Sequence, residues 1–177
     1  VIDVIPVADT PTVAGGSFTT DEDQRVALAG LNGALVDTDT SETLAIEIRG
    51  VDPNAKLENA AGVEFPFVIA GDGSKTYTVN PTDIGGVFYN PPPNEHGTFN
   101  MTIVPIATEG ANNDQASNSA PIQVVISPVN DLPAVTGSSS TDEDTAVNFG
   151  NNIGIAAIVD PDGSEQLTQV SITGVPS

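Results

Sequence analysis

Apolar residues recur at every second position in short runs separated by glycine, proline, asparagine and aspartate, the period of half-buried β-strands. Leu44-Ala45-Ile46-Glu47-Ile48-Arg49 alternates most strictly. Similar runs predict strands over 1–7, 12–18 (broken by Gly15-Gly16), 25–36, 65–69, 76–79, 87–89, 99–107 and 121–129. Gly71-Asp72-Gly73-Ser74 is turn chemistry between two of these, and Pro66 marks the first of that pair as an edge strand or strand end. Residues 52–62 read as a loop with a short helical turn. Pro91-Pro92-Pro93-Asn94-Glu95-His96-Gly97 is a loop that no helix can cross, and residues 109–119 form a long polar loop.

Seven or so short alternating strands, with turn signals about every ten residues, predict an all-β chain folded as a Greek-key β-sandwich of the immunoglobulin or cadherin-like type. The acidic landmarks give the larger organisation. Val7-Ala8-Asp9-Thr10-Pro11 is echoed by Val129-Asn130-Asp131-Leu132-Pro133, Thr20-Asp21-Glu22-Asp23 by Thr141-Asp142-Glu143-Asp144, and Val36-Asp37-Thr38-Asp39 by Val159-Asp160-Pro161-Asp162. The pairs Asp9/Asp131, Asp21/Asp142 and Asp37/Asp160 lie 122, 121 and 123 residues apart. A period this long means tandem domains. Residues 8–130 are therefore expected to form one complete repeat, 1–7 the last strand of a preceding repeat, and 131–177 the N-terminal part of a following one. That partial repeat cannot close a sandwich and is expected to be ordered by the complete unit, by ions, or by strand exchange with a neighbouring chain, with Val1–Val7 a candidate donor.

Charge narrows the partners. Twenty-four Asp and Glu against four Lys and Arg give a net charge of −20, so nucleic acid and anionic membrane surfaces are poor partners. About half of these carboxylates are expected to serve only as a solubilising coat. Without cysteine there is no disulfide and no thiolate site. No uncharged apolar run approaches the ~18 residues of a spanning helix, so membrane insertion is not expected, and targeting information is expected outside these residues.

The order Asp-Glu-Asp, then Asp-x-Asp-x-Ser-Glu-x-Leu, then Gly86-Val87-Phe88-Tyr89-Asn90-Pro91 with a Gly97-Thr98-Phe99 strand, then Val-Asn-Asp-x-Pro, resembles the bacterial cadherin-like tandem repeats of large RTX adhesins exported by type I secretion. The resemblance covers the whole chain, although the glycine-rich nonapeptide calcium repeat of such adhesins is not in it. It implies a secreted protein of the bacterial cell surface, a role in adhesion and biofilm formation, and neighbouring repeats as the main partners of a monomeric chain.

On a sandwich of this kind the loops fall into two groups. Asp9, Asp37, Asp39 and Asp114 are expected to converge at the leading end, where the chain comes in. At the trailing end stand Asp21-Glu22-Asp23, Asn94-Glu95 and Asn130-Asp131, faced by Asp160 and Asp162 of the following repeat. Clustered carboxylates repel unless a cation sits among them, and oxygen-only ligands select a hard ion. Calcium fits better than magnesium because it accepts six to eight oxygens in irregular geometry. The resemblance implies the same ion at the junction, with Glu22, Asn130, Asp131, Asp160 and Asp162 matching the family's ligand positions and Glu95 a looser match. Ala8 replaces the linker Asn at the first junction.

Other motifs carry less. Asp37 to Glu42 resembles the start of an EF-hand, but its sixth position is Glu42 instead of Gly and its twelfth is Ile48 instead of Glu. Asp37 and Asp39 also suit simple turn capping, as does Asp72. His96 has no second imidazole or nucleophile pattern beside it, and no enzyme is expected. The sequon Asn100-Met101-Thr102 falls on a strand. Two functions remain: a calcium-stiffened extender that holds distal adhesive domains away from the cell, or a module that itself binds carbohydrate or protein. Two Tyr, six Phe and no Trp weigh against an aromatic sugar platform.

Overall fold

The structure is a computed structural model, and it describes residues 5–37, 40–131, 133–148, 153–156, 163 and 166–173. The described chain is all-β apart from one 3-10 turn at Ile84–Gly86. Its strands are β1 (Thr12–Ala14), β2 (Gly16–Asp21), β3 (Val26–Ala27), β4 (Asn32–Ala34), β5 (Glu42–Val51), β6 (Lys56–Glu58) and β7 (Phe67–Ile69). They continue with β8 (Lys75–Val79), β9 (Phe88–Asn90), β10 (Gly97–Glu109), β11 (Gln115–Ser117), β12 (Ala120–Ser127), β13 (Val135–Gly137) and β14 (Ile153–Ile155).

A seven-stranded sheet runs β2-β12-β10-β5-β8-β7, with β11 on β10, and a three-stranded sheet runs β3-β9-β6. The core lies between them. Ile46, Ile48, Tyr77, Val79, Ile103, Ile122 and Val124 from the large sheet meet Leu28, Leu57, Val87 and Tyr89 from the other side. These positions alternate with exposed ones along β12, whose pattern is buried at Ile122, Val124 and Ile126 only, as a sandwich strand requires. All neighbours are antiparallel except β2 with β12, which run parallel from Ile122↔Gly16 to Ser127↔Asp21. The switch between β1 and β2 is made at Gly15, where a Cβ would stand 1.9 Å from the Pro121 carbonyl oxygen. Only glycine allows that approach.

Differences from the expected elements have local causes. The expected strand over 25–36 is two short strands separated by a turn at Ala29-Gly30. The expected loop over 52–62 holds β6 instead of a helical turn, because Leu57 is drawn into the core and Lys56–Glu58 pairs with β9. The loop over 109–119 contains β11, which folds back on the end of β10. Of the strand expected over 1–7, residues 1–4 lie outside the described residues and Ile5–Val7 belong to no strand. Pro66 does precede an edge strand, since β7 ends its sheet.

Local geometry recurs along the chain. β1 pairs with β4 as Thr12↔Ala34, Val13↔Gly33 and Ala14↔Asn32, and β13 pairs with β14 as Val135↔Ile155, Thr136↔Gly154 and Gly137↔Ile153. Thr20 Oγ1 donates to the Gln24 carbonyl at 3.1 Å, and Thr141 Oγ1 to that of Thr145 at 3.1 Å. Gln24 N reaches Asp21 O at 3.3 Å, as Thr145 N reaches Asp142 O at 3.3 Å. Asp23 (φ 58°) and Asp144 (φ 61°) share the left-handed conformation that closes this turn, one that Asp tolerates better than most residues.

Candidate functional site at the two ends of the sandwich

At the trailing end, Glu22 follows directly on β2, so the parallel pairing sets it beside the chain leaving β12. Its amide donates to the Ser127 carbonyl at 2.9 Å, and its Oε1 accepts from the Val129 amide. Glu22 is buried, at 6% exposure, while Asn130 and Asp131 beyond it are exposed. Asp23 Oδ1 accepts from the Asn94 amide at 3.0 Å and so ties the turn after β2 to the loop bearing Glu95. Glu22, the Asn94-Glu95 loop and the departing segment thus meet at one end. Asp160 and Asp162 lie outside the described residues.

The leading end repeats the arrangement with other residues. Asp114 Oδ2 accepts from the Ala8 amide at 3.1 Å, Glu42 Oε1 accepts from the Asp9 amide, and Asn112 Nδ2 donates to the Pro6 carbonyl at 2.8 Å. Asp114 is therefore bonded to the amide next to Asp9, while the Asp9 amide itself goes to Glu42. Asp37 lies in the loop between β4 and β5 and is half-buried, and Asp39 is outside the described residues.

Two residues here were not legible as site residues. Glu42 opens β5 and Glu109 closes β10, directly opposite each other in the ladder (Glu109↔Glu42), and they are 8% and 4% exposed. Extending the alternation of each strand by one step would have found them: Glu42 continues the inward phase of Leu44, Ile46 and Ile48, and Glu109 that of Ile103, Pro105 and Ala107.

Charge compensation is provided elsewhere. Arg25 pairs with buried Glu58 at 3.1 Å and lies over the Phe88 ring; Arg49 pairs with Glu47 at 2.7 Å; Lys75 pairs with Glu64 at 3.4 Å. Tyr77 also donates to Glu64, at 2.6 Å. Burial, then the bond to Glu64, pushes the Tyr77 phenol well above its usual range; burial, then the charges of Asp52 and Glu95, does the same to Tyr89. Asp72 caps its own turn through Ser74, whose hydroxyl and amide hold the carboxyl below the usual range.

Among the described residues no three His, Asp or Glu side chains surround one point as a ready metal cage. What the ends bring together is carboxylate oxygens that accept hydrogen bonds from backbone amides. Among the described residues no helix is long and apolar enough to cross a membrane.

No family model and no curated protein matches the chain. Among solved structures it is similar to AggA, the major subunit of aggregative adherence fimbriae type I from Escherichia coli. That similarity has 12% sequence identity and a TM-score of 0.31, over 68% of this chain and 98% of the fimbrial chain.

Proposed function

We propose that this chain is a section of a tandem array of β-sandwich repeats that works as an extender of a bacterial surface adhesin, stiffened at its junctions by calcium. The observation that carries the reading is the recurrence just past a gripped linker: the β1–β4 ladder and the turn at 21–24 return as β13–β14 and the turn at 142–145. A spacer is built by such recurrence, and it has to control the angle between its copies. At both ends buried glutamates hold the linker amides, Glu42 at Asp9 and Glu22 at Val129.

Calcium would be held at the trailing end by Glu22, Glu95, Asn130 and Asp131 together with Asp160 and Asp162, and at the leading end by Asp9, Asp37, Asp39 and Asp114. The resemblance to cadherin-like repeats supports that assignment. An extracellular site with Kd on the order of 10⁻⁴ to 10⁻³ M adds about 2.7 kcal/mol at a hundredfold excess of ion. Two such ions together match the ~5.5 kcal/mol needed to turn a mobile hinge into one dominant orientation. Small-angle scattering on a protein carrying two full repeats tests this. Calcium should lengthen the maximum dimension relative to chelator and raise the melting temperature; equal dimensions and equal melting in both would remove the extender reading.

A further inference from the structure

We infer that the free edge of β7 is an interaction surface for a second copy of this chain, which pairs β7 with β7 antiparallel about a two-fold axis and joins the two large sheets edge to edge. The contact does not depend on ions at the junctions. In an array of repeats it would recur along the row, and weak contacts in series add up.

The chain crosses the side of the sandwich just before β7. Phe65 donates its amide to the Leu57 carbonyl of β6 at 2.9 Å, on the smaller sheet, and two residues later Phe67–Ile69 pairs with β8 at the end of the larger one. The Thr78 amide donates to the Pro66 carbonyl at 2.9 Å, and the Ala70 amide to that of Ser74 at 2.8 Å. Bonded positions alternate along an antiparallel pair, so Val68 turns its backbone groups to Thr76, while Phe67 and Ile69 turn theirs away from β8. Among the described residues no strand pairs with β7 on that side. Phe67, Val68 and Ile69 are all exposed, as is Val63 before them. The other edges of the sandwich are defended: β2 ends on Asp21, β3 follows Arg25, and β6 is covered by the returning segment through Phe65. β7 has brevity and Pro66 to blunt it, but no charge of its own.

Two observations choose a second copy as the occupant. The edge is self-complementary: set antiparallel about Val68, Phe67 of each copy faces Ile69 of the other, and their outward N–H and C=O groups exchange both hydrogen bonds, twice over by symmetry. The two Val68 side chains then meet on one face. The strip is also locally neutral, because Glu64 leading into it is paired with Lys75 at 3.4 Å and accepts from the Tyr77 hydroxyl at 2.6 Å, and the Lys75 amine lies 4.6 Å from the Phe67 ring centre. A cationic strand would find stronger attraction elsewhere on this acidic surface; an uncharged strip suits its own copy. Against the contact stand the exposed Asp72 of the next turn and the net charge of −20 on each chain. Three residues a side also bury little surface, so the dimer is weak and tightens as salt screens the repulsion.

Sedimentation equilibrium in chelator, with the chain alone as the probe, tests this independently of calcium and of the extender reading. The parent should dimerise reversibly with Kd on the order of 10⁻⁴ to 10⁻³ M, and more tightly at about 0.5 M salt than at about 0.05 M. Ile69→Pro removes an outward N–H without costing a bond to β8, and Val68→Lys sets like charges opposite each other at the two-fold axis. Each should weaken the dimer by about tenfold or more while melting within a few degrees of the parent in dilute solution, and the lysine variant decides the matter if the proline variant does not fold. Amide exchange at Phe67 and Ile69 should slow as the parent is concentrated, while that of Val68, already bonded to β8, should not change. A parent that stays monomeric at about 1 mM in high salt, a dimer that loosens as salt rises, or one that both variants form equally would overturn the inference. So would Phe67 and Ile69 amides that slow only when an unrelated extended peptide is added, a result that would assign the edge to a foreign strand.

Discussion

Replacing Glu22 with alanine tests whether a buried carboxylate fixes the course of the chain leaving the sandwich. The side chain gives the Val129 amide its acceptor, and the amide of Glu22 is held by Ser127 in continuation of the parallel β2–β12 ladder. A hydrogen bond to a charged group contributes about 1.5–3 kcal/mol. An opposing term exists, since Asp21, Asp23 and Glu95 lie in the same region and removing one charge relieves repulsion. Glu22 is buried, but Asp21 and Asp23 are exposed and Glu95 is half-buried, so most of each pair's field runs through water; at about 7 Å that relief is about 0.6 kcal/mol per pair at the dielectric of water, and salt with a Debye length near 8 Å reduces it further. The bond wins. Net destabilisation should be about 1–2 kcal/mol, or roughly 4–8 °C in melting temperature for a unit of this size. Calorimetry in chelator measures it without any contribution from bound ions, and amide exchange at Val129 should quicken at least tenfold. A variant that melts higher than the parent, with Val129 exchange unchanged, would refute the reasoning and show that repulsion dominates this end.

Two other outcomes follow from particular positions. Gly15→Ala places a Cβ 1.9 Å from the Pro121 carbonyl oxygen and should lower stability by about 1–3 kcal/mol, read as a lower urea midpoint, whereas Gly85→Ala meets nothing within 4 Å and should stay within ~1 kcal/mol; equal midpoints for the two would contradict the close approach. Because the Tyr77 and Tyr89 phenols are raised in the folded protein, the unfolded chain ionises first, so stability present below about pH 10 should fall as pH rises above 10. Folded-state absorbance titration with both phenols ionising near pH 10 would contradict this.

The sequence carried the sheets wherever a strand is half-buried over at least two full alternations. Leu44 to Arg49 and Phe99 to Ala107 were legible because Ile46, Ile48, Met101 and Ile103 face the core at period two. β6 was not, because three residues cannot display a period, and its existence depends on Leu57 finding the core and on β9 lying alongside. β11, Gln115-Ala116-Ser117, has only a single small apolar residue and is imposed by the end of β10. The same limit hid Glu42 and Glu109. A polar residue at the end of an alternating run looks like the start of a loop, and only the cross-strand register shows that two such ends face each other inside the sandwich. That the incoming segment at Ala8 lies by Asp114, and the departing segment by Glu22, follows from the order of strands alone.

On the proposed reading, the distribution of positive charge is the reason these ends draw on something from outside the fold. All four Lys and Arg fall between residues 25 and 75, and three of them are committed to Glu58, Glu47 and Glu64. From residue 76 onward the chain has carboxylates and a single histidine, so neither Glu109 and Asp114 nor the acidic stretch from Asp131 to Asp144 has a local Lys or Arg. At the ends the fold uses its amides instead: Ala8 and Asp9 for Asp114 and Glu42, Val129 for Glu22, Asn94 for Asp23. Each such bond contributes about 1.5–3 kcal/mol, comparable with the ~2.7 kcal/mol of one calcium at a hundredfold excess over its Kd. On the proposed reading, amides and ions therefore share the ordering of each junction about equally. Removing calcium should loosen a linker that is still tethered through its backbone on either side, so the array softens without its sandwiches unfolding.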